Sequence, residues 1–188
     1  MKKTIVLLLI CFAFKSSFAQ LEKGNWLVGG SGSFSSAKYN NDVKYERTIL
    51  ILSPSVGYFF KDKLVVGLKP YYTYQLTAED SEFANNSEIN ELGITAFLSY
   101  YFFKKTEPFN FFTQVGYGYL WQNYSNNNSD DKYSQNVYEI SGGPVYFINQ
   151  SIGINLFLGY SLADFREIEY KQKRFSTGIG FQIHLTKK

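Results

Sequence analysis

The chain has 188 residues, enough for one domain with a full core, and an aromatic content of 19% excludes a disordered or linker protein. A net charge of +3 suggests an anionic partner until its location is considered. Lys2, Lys3 and Lys15 lie in the first nineteen residues, which hold no Asp or Glu. Taking these three from 19 Lys and Arg leaves 16 against 16 Asp and Glu, so the rest of the chain is neutral and points to no nucleic acid.

The front segment reads as an export signal. Met1-Lys2-Lys3 is a charged start, Ile5-Val6-Leu7-Leu8-Leu9-Ile10 and the residues to Phe14 form a short apolar stretch, and Ser17-Phe18-Ala19 puts small residues at the −3 and −1 positions. The expected organisation is a cleaved signal over residues 1–19 and a single domain over 20–188. An apolar run of about ten residues is half of the ~20 that a spanning helix needs. Ile10 is too bulky for the small residue that precedes a lipidated cysteine, so Cys11 is not expected to carry lipid. Cys11 is the only cysteine in the sequence. The exported chain then has no disulfide, no CxxC redox pair and no cysteine-based zinc site.

From Gly24 onward hydrophobicity alternates with period two, and helical spacing is nowhere sustained. The first segment sets Trp26, Val28, Gly30, Gly32 and Phe34 against Leu27, Gly29 and three serines. The second carries Leu50, Leu52, Pro54, Val56 and Tyr58, and the third Leu64, Val66, Leu68, Pro70, Tyr72, Tyr74 and Leu76. A fourth sets Leu92, Ile94, Ala96, Leu98 and Tyr100 against Glu91, Gly93, Thr95, Phe97 and Ser99. The fifth runs Phe111, Thr113, Val115, Tyr117, Tyr119, Trp121. The sixth holds Tyr138, Ile140, Gly142, Pro144 and Tyr146, the seventh Ile152, Ile154, Leu156, Leu158, Tyr160 and Leu162. The eighth offers Phe175, Thr177, Ile179, Phe181, Ile183 and Leu185 over Arg174, Ser176, Gly178, Gly180, Gln182 and His184. Pro54 and Pro144 fall inside segments and predict local distortion of the ladder.

These patterns give an all-β fold, an eight-stranded antiparallel up-and-down transmembrane barrel. Every segment has one continuous apolar face ending in Tyr, Trp or Phe, while its opposite is Gly, Ser, Thr, Gln and charge. Aromatic residues at both ends of an apolar band are the pattern of interfacial girdles, so the apolar faces are assigned to lipid. Connections alternate in length. Lys61-Asp62-Lys63, residues 104–108 and Asn149-Gln150-Ser151 read as tight turns, and residues 38–47, 77–90, 125–136 and 164–172 as long polar loops. Short periplasmic turns and long extracellular loops are the arrangement of outer-membrane barrels.

Trp26-Leu27-Val28-Gly29-Gly30, Tyr58-Phe59-Phe60, Tyr100-Tyr101-Phe102-Phe103, Gly116-Tyr117-Gly118-Tyr119 and Phe181-Gln182-Ile183-His184-Leu185 carry a resemblance that covers residues 24–185. With them the chain resembles the small eight-stranded outer-membrane barrels of the OmpX and OmpA-barrel type, the outer membrane β-barrel domain family. The resemblance implies a Gram-negative outer membrane, insertion by the barrel assembly machinery and an aromatic final residue. Here the sequence ends Leu185-Thr186-Lys187-Lys188, which predicts an insertion signal that is altered or shifted inward.

An eight-stranded barrel is filled by its own side chains, so an open pore is not expected. The alternation turns Tyr71, Phe97, Phe112 and Phe157 inward to occupy the lumen and Gly29, Ser31 and Ser33 inward to leave room. It also turns Lys69, Glu91, Glu139 and Arg174 inward, as a lumen network with a structural role. Counting from the turns, Arg174 is expected to pair with Glu139, Glu91 or both, with Lys69 lower and its partner open. No catalytic, cofactor or metal site is read: Glu79-Asp80 and Asp130-Asp131 are solvated loop acids without a matching histidine, and His184, the sole histidine, faces inward at the periplasmic end. Three roles follow: a structural or surface-interaction barrel acting through its loops, a narrow porin-like conduit, and a lipid-modifying enzyme. The first is the expectation, with outer-membrane lipids as surroundings, a loop partner the sequence does not identify, and a monomeric state.

The exported chain should begin at Gln20. Intact-mass spectrometry of the envelope protein should give the mass of residues 20–188, and retained Lys15 or a diacyl adduct on Cys11 would refute the cleavage.

Overall fold

The structure is a computed structural model that describes residues 21–40, 44–80, 86–104 and 107–186, and the segment read as an export signal lies outside them. Eight strands pair antiparallel in chain order and close on themselves: β1 Trp26–Asn40, β2 Lys44–Lys61, β3 Leu64–Asp80, β4 Ser87–Tyr101, β5 Phe109–Asn126, β6 Asp130–Phe147, β7 Ile152–Phe165 and β8 Lys171–Leu185. Period-two patterning produces this result directly. In β4, Leu92, Ile94, Ala96, Leu98 and Tyr100 are exposed on the outer face, while Glu91, Thr95, Phe97, Ser99 and Tyr101 are buried inside. A barrel with its aliphatic residues outside and its carboxylates inside is stable only where the outside is hydrocarbon. Closure is required by the same medium, because lipid offers no partner to a free N–H or C=O.

Aromatic pairs ring the outer surface near both rims. Trp26 packs on Tyr58 with ring centres 5.3 Å apart and Phe102 on Phe111 at 6.0 Å near the end that holds the termini. Toward the other end Tyr117 meets Tyr138 at 5.2 Å and Tyr119 meets Trp121 at 4.9 Å. These are the two girdles that the sequence pattern predicts.

The register fixes the geometry. Starting at Arg174, successive partners are Ser161, Glu139, Gly116, Phe97, Gly67, Gly57 and Leu27, and the row returns to β8 at His184. It closes ten residues along the strand from where it began. A stagger of that size belongs to strands tilted by roughly 35–45° and sets a lumen wide enough for side chains.

Both predicted distortions occur, and each has a cause. On β2, Ser53, Pro54 and Ser55 have no partner on β3, where the register would set Pro54 against Pro70, two residues without N–H. On β6, Gly143 and Pro144 are skipped in the pairing with β7. Gly30, across from Pro54 on β1, has φ +141°, and a Cβ there would lie 2.5 Å from the Ser53 carbonyl oxygen. Only glycine fits so close to β2 in that conformation.

The predicted long loops are corrected by the structure. Strands of 14–18 residues exceed the 9–11 that cross a bilayer, and the excess extends each hairpin beyond the hydrocarbon. Residues 38–40 and 44–47, 77–80 and 87–90, and 125–126 and 130–136 belong to ladders, not loops, and of residues 164–172 only 166–170 leave the strands. In water both strand faces turn polar, so the alternation that marks a strand loses its contrast there.

The core sits at the terminal end. Leu21, Leu27, Phe59, Val65, Phe97, Tyr101, Phe112, Val145 and Phe147 form one buried cluster inside the barrel. Residues 21–25 are folded beneath it: the Lys63 N–H donates to the Leu21 carbonyl at 2.9 Å, the Phe59 N–H to the Asn25 carbonyl at 3.0 Å and the Lys23 N–H to Asp62 Oδ1 at 2.9 Å.

The folded barrel should migrate faster unboiled than boiled in a detergent gel. Leu156, half exposed on the outer face of β7, gives the residue-level test: Leu156→Arg should cost about 2–4 kcal/mol in refolding titrations if the position lies at the bilayer midplane.

Candidate functional site

The lumen has two unlike halves, and the strand pattern builds both. At the terminal end the inward positions are aromatic and their neighbours are glycine. The Phe97 ring occupies the space over Gly67 and Gly57, where added Cβ atoms would come within 2.4 and 3.3 Å of it. Phe157 covers Gly178 in the same way, at 2.9 Å. His184 is fully buried among Phe59, Tyr101 and Phe147, with ring centres 5.5, 6.2 and 5.2 Å away. Its Nε2 lies 3.3 Å from Gln182 Oε1, which also accepts the Tyr101 hydroxyl at 2.7 Å. This plug is dense, and Gln182 Oε1 joins the Tyr101 hydroxyl to the His184 ring within it.

Above the plug the lumen opens into a cavity of about 600 Å³. Its floor is Phe97, Phe112 and Phe157, and its walls carry serines and the four charged residues that the alternation turns inward. Lys69, Glu91, Glu139 and Arg174 all line it. Their pairing differs from the expectation. Lys69 on β3 reaches across to Glu139 on β6 in an ion pair, and Gln114 Nε2 lies 3.4 Å from the same carboxylate oxygen. Glu91 is held by the Gln135 amide and the Tyr71 hydroxyl, with Arg174 attracting it from beyond ion-pair distance. Arg174 meets two neutral oxygens, the Tyr71 hydroxyl at 3.5 Å and Gln172 Oε1 at 3.2 Å. Among the described residues Arg174 makes no ion pair with Glu139 or Glu91.

Strand tilt explains the difference. Arg174 and Glu139 are both partners of Ser161 and share a register row, but a row runs perpendicular to tilted strands and climbs around the barrel. Counting from the turns therefore misplaces heights by several residues. Gly116 is what lets the observed pair form: a Cβ there would lie 2.8 Å from both Cγ and Oε1 of Glu139. Gln135 escaped the sequence reading because it lies in residues 125–136, read as a loop, and Gln182, read as inward on the last segment, was given no partner because a neutral amide carries no charge to flag it. Leu21 escaped because it precedes the first strand.

At the distal rim the segment after β7 is tied to β6. The Ser134 hydroxyl donates to Glu167 Oε1 at 2.6 Å, its N–H donates to Oε2 at 2.8 Å, and the Arg166 N–H donates to the Ser134 carbonyl at 3.0 Å. The two bonds from Ser134 hold the Glu167 carboxyl below the usual carboxylate range.

Residues 4–188 match the family described as the outer membrane protein beta-barrel domain. The fold is similar to the N-terminal β-barrel domain of Pseudomonas aeruginosa OprF, with a TM-score of 0.53 at 11% identity over 87% of this chain and 98% of that one. Neisserial surface protein A matches with a TM-score of 0.48 at 12% identity over 86% of this chain and 97% of that one. No curated relative matches the chain by sequence.

Lys69→Met should leave Glu139 without its cation and destabilise the barrel by about 3 kcal/mol, the low end for a broken buried pair because both side chains keep some solvent contact. Lys69→Met with Glu139→Leu should cost much less. Refolding titrations in detergent check both, and the corresponding cycle between Arg174 and Glu139 should show coupling near zero.

Proposed function

Because the chain belongs to the outer membrane protein β-barrel domain family, we propose that it is a monomeric, non-conducting barrel of the outer membrane with a structural or surface-interaction role. The plug carries this reading. Leu21, Phe59, Tyr101, Phe147 and His184 are all but fully buried, and residues 21–25 lie across the same end, so among the described residues packed side chains separate the cavity from the terminal rim. What is left to meet the outside is the distal end, where paired strands run past the membrane and end in Asn-, Ser- and Asp-rich tips such as Asn126-Asn127-Asn128-Ser129. Lipids of the outer membrane surround the apolar band, and the assembly machinery inserts it. A ladder that continues into water holds its tip rigid, which suits a contact surface better than a free loop does.

Two other readings are weaker. The cavity with its charged wall favours a narrow conduit, but that needs the plug to move. An enzyme of Ser-His-acid type has only His184 for a base, and His184 lies inside the plug with no access to substrate.

Planar-bilayer recording tests the proposal. The native protein should give no current steps above background, while replacing Phe59 and Tyr101 together with Ala should open measurable conductance through a barrel that still shows heat-modifiable migration. Steady steps from the native protein would establish the conduit in its place.

A further inference from the structure

The ladder between β1 and β8 is much shorter than the strands that form it. Only residues 26–30 of β1 pair with residues 181–185 of β8. The same register, continued, would bring Asn40 opposite Lys171, so ten residues on each strand have a counterpart in register and do not pair with it. Pairing stops at Gly30, whose positive φ and close approach to Ser53 and Pro54 lean β1 toward β2.

The gap leads into the cavity. Ser31, Gly32 and Ser33 on one edge and Thr177, Gly178 and Ile179 on the other all line it. Gly32, Thr177 and Ile179 have outward parity, so the cavity reaches the outer surface between the two strands. The bulky apolar residues beside the gap are the most exposed of their kind: Phe34 at 71%, Phe175 and Ile179 at 69% and Phe181 at 65%, against 59% or less for the others described. Phe34, Phe175 and Ile179 have lost the neighbour across the seam that a closed ladder would provide, and Phe181 has only Gly30, which carries no side chain, opposite it.

We propose that the distal half of the β1–β8 seam is a lateral portal through which the lumen takes a single-chain anionic amphiphile, such as a fatty acid, from the surrounding leaflet. The rim is apolar and faces lipid, which selects an acyl chain. The cavity volume of about 600 Å³ lies within the roughly 300–1,000 Å³ of small-molecule sites. Its aromatic floor, Phe97, Phe112 and Phe157, suits the chain. Arg174 lies on β8 within the stretch that β1 leaves unpaired and faces the cavity; its direct partners are the neutral Tyr71 hydroxyl and Gln172 Oε1, with the Glu91 carboxylate close enough to attract it but not in an ion pair, whereas Lys69, the other cation lining the cavity, is already paired with Glu139. Its guanidinium is therefore the group that holds the carboxylate.

The test uses the protein purified from membranes, reconstituted in phosphatidylcholine vesicles and exposed to palmitic acid bearing a terminal diazirine, with photolabelled residues identified by mass spectrometry. Leu156 and Phe157 form an internal control, since they are adjacent on β7 and face lipid and lumen respectively. The native protein should be labelled at both. Ser35 and Ser176 fall opposite each other on the continued register, so Ser35→Cys with Ser176→Cys should close the seam when oxidised. Phe157 labelling should then fall at least tenfold, return on reduction, and leave Leu156 unchanged. Ser33→Trp, which narrows the gap without a disulfide, should reduce Phe157 labelling in the same way. Arg174→Gln should lower Phe157 labelling by the acid about tenfold and leave labelling by the matching diazirine alcohol within twofold. Labelling confined to lipid-facing residues, or Phe157 labelling that survives in both closed variants, would overturn the portal. Labelling by the acid that is indifferent to Arg174→Gln would overturn the anionic ligand.

Discussion

Closure of the backbone ladder in a medium without water is the constraint on which everything else in this barrel depends. Each N–H and C=O exposed to hydrocarbon must find a partner on a neighbouring strand, and eight strands satisfy that only by curving until the first meets the last. The ten-residue stagger at which β1 returns to β8 fixes tilt and radius together, and the radius decides which side chains fit inside. The inverted burial pattern is a consequence. Aliphatic residues face out because the solvent there is apolar, and carboxylates can face in because the lumen supplies cations, amides and space.

Inside, two kinds of stabilisation divide the length of the barrel. The terminal half is held by aromatic packing against glycine, with Phe97 over Gly57 and Gly67 as its unit. Such contacts have no tolerance for volume: a methyl group at Gly67 meets the Phe97 ring and the Val56 carbonyl oxygen at once. The distal half is held by hydrogen bonds and one ion pair across a cavity, which are weaker per contact but leave room. Folding stability therefore concentrates where the termini and the plug lie, and the distal half is free to be shaped by something other than packing density.

Parity was the part of this architecture written most plainly in the sequence. A single-residue shift would have put Leu92, Ile94 and Leu98 into the lumen and Glu91 and Thr95 into lipid, so the inward assignment of all four charged residues follows from counting by twos. Height is different, because it depends on tilt, and tilt is a property of the closed ladder and not of any one strand. For that reason counting from the turns sets Arg174 against Glu139, Glu91 or both, while the cation that reaches Glu139 is Lys69. Strand ends were blurred for another reason: past the membrane the outer face itself turns polar, as at Asn123, Ser125 and Lys132, and no longer contrasts with the inner one. Pro70 was open to inspection, but its meaning emerges only beside Pro54, a pairing that register alone reveals.

The short β1–β8 ladder and the polar cavity behind it require each other. Five rungs cover about half of the 9–11 residues that a tilted strand needs to cross the hydrocarbon. Several backbone groups on the facing edges above Gly30 must then find partners other than a strand, and an apolar lumen would provide none. Here the positions just inside the edges are Ser31 and Ser33 on one strand and Arg174 and Ser176 on the other, and all four line the cavity. A cavity of this size and polarity can admit water, which would satisfy those edges and let the seam stay parted without the several kcal/mol per group that dry hydrocarbon would exact. Filling the distal cavity with aliphatic side chains should therefore do more than remove a binding space: by excluding that water it makes the open seam untenable and drives the ten remaining rungs to form. The serine-rich wall and the parted strands are two halves of one arrangement, in which lumen polarity decides whether the barrel is sealed along its whole length or only at its terminal end.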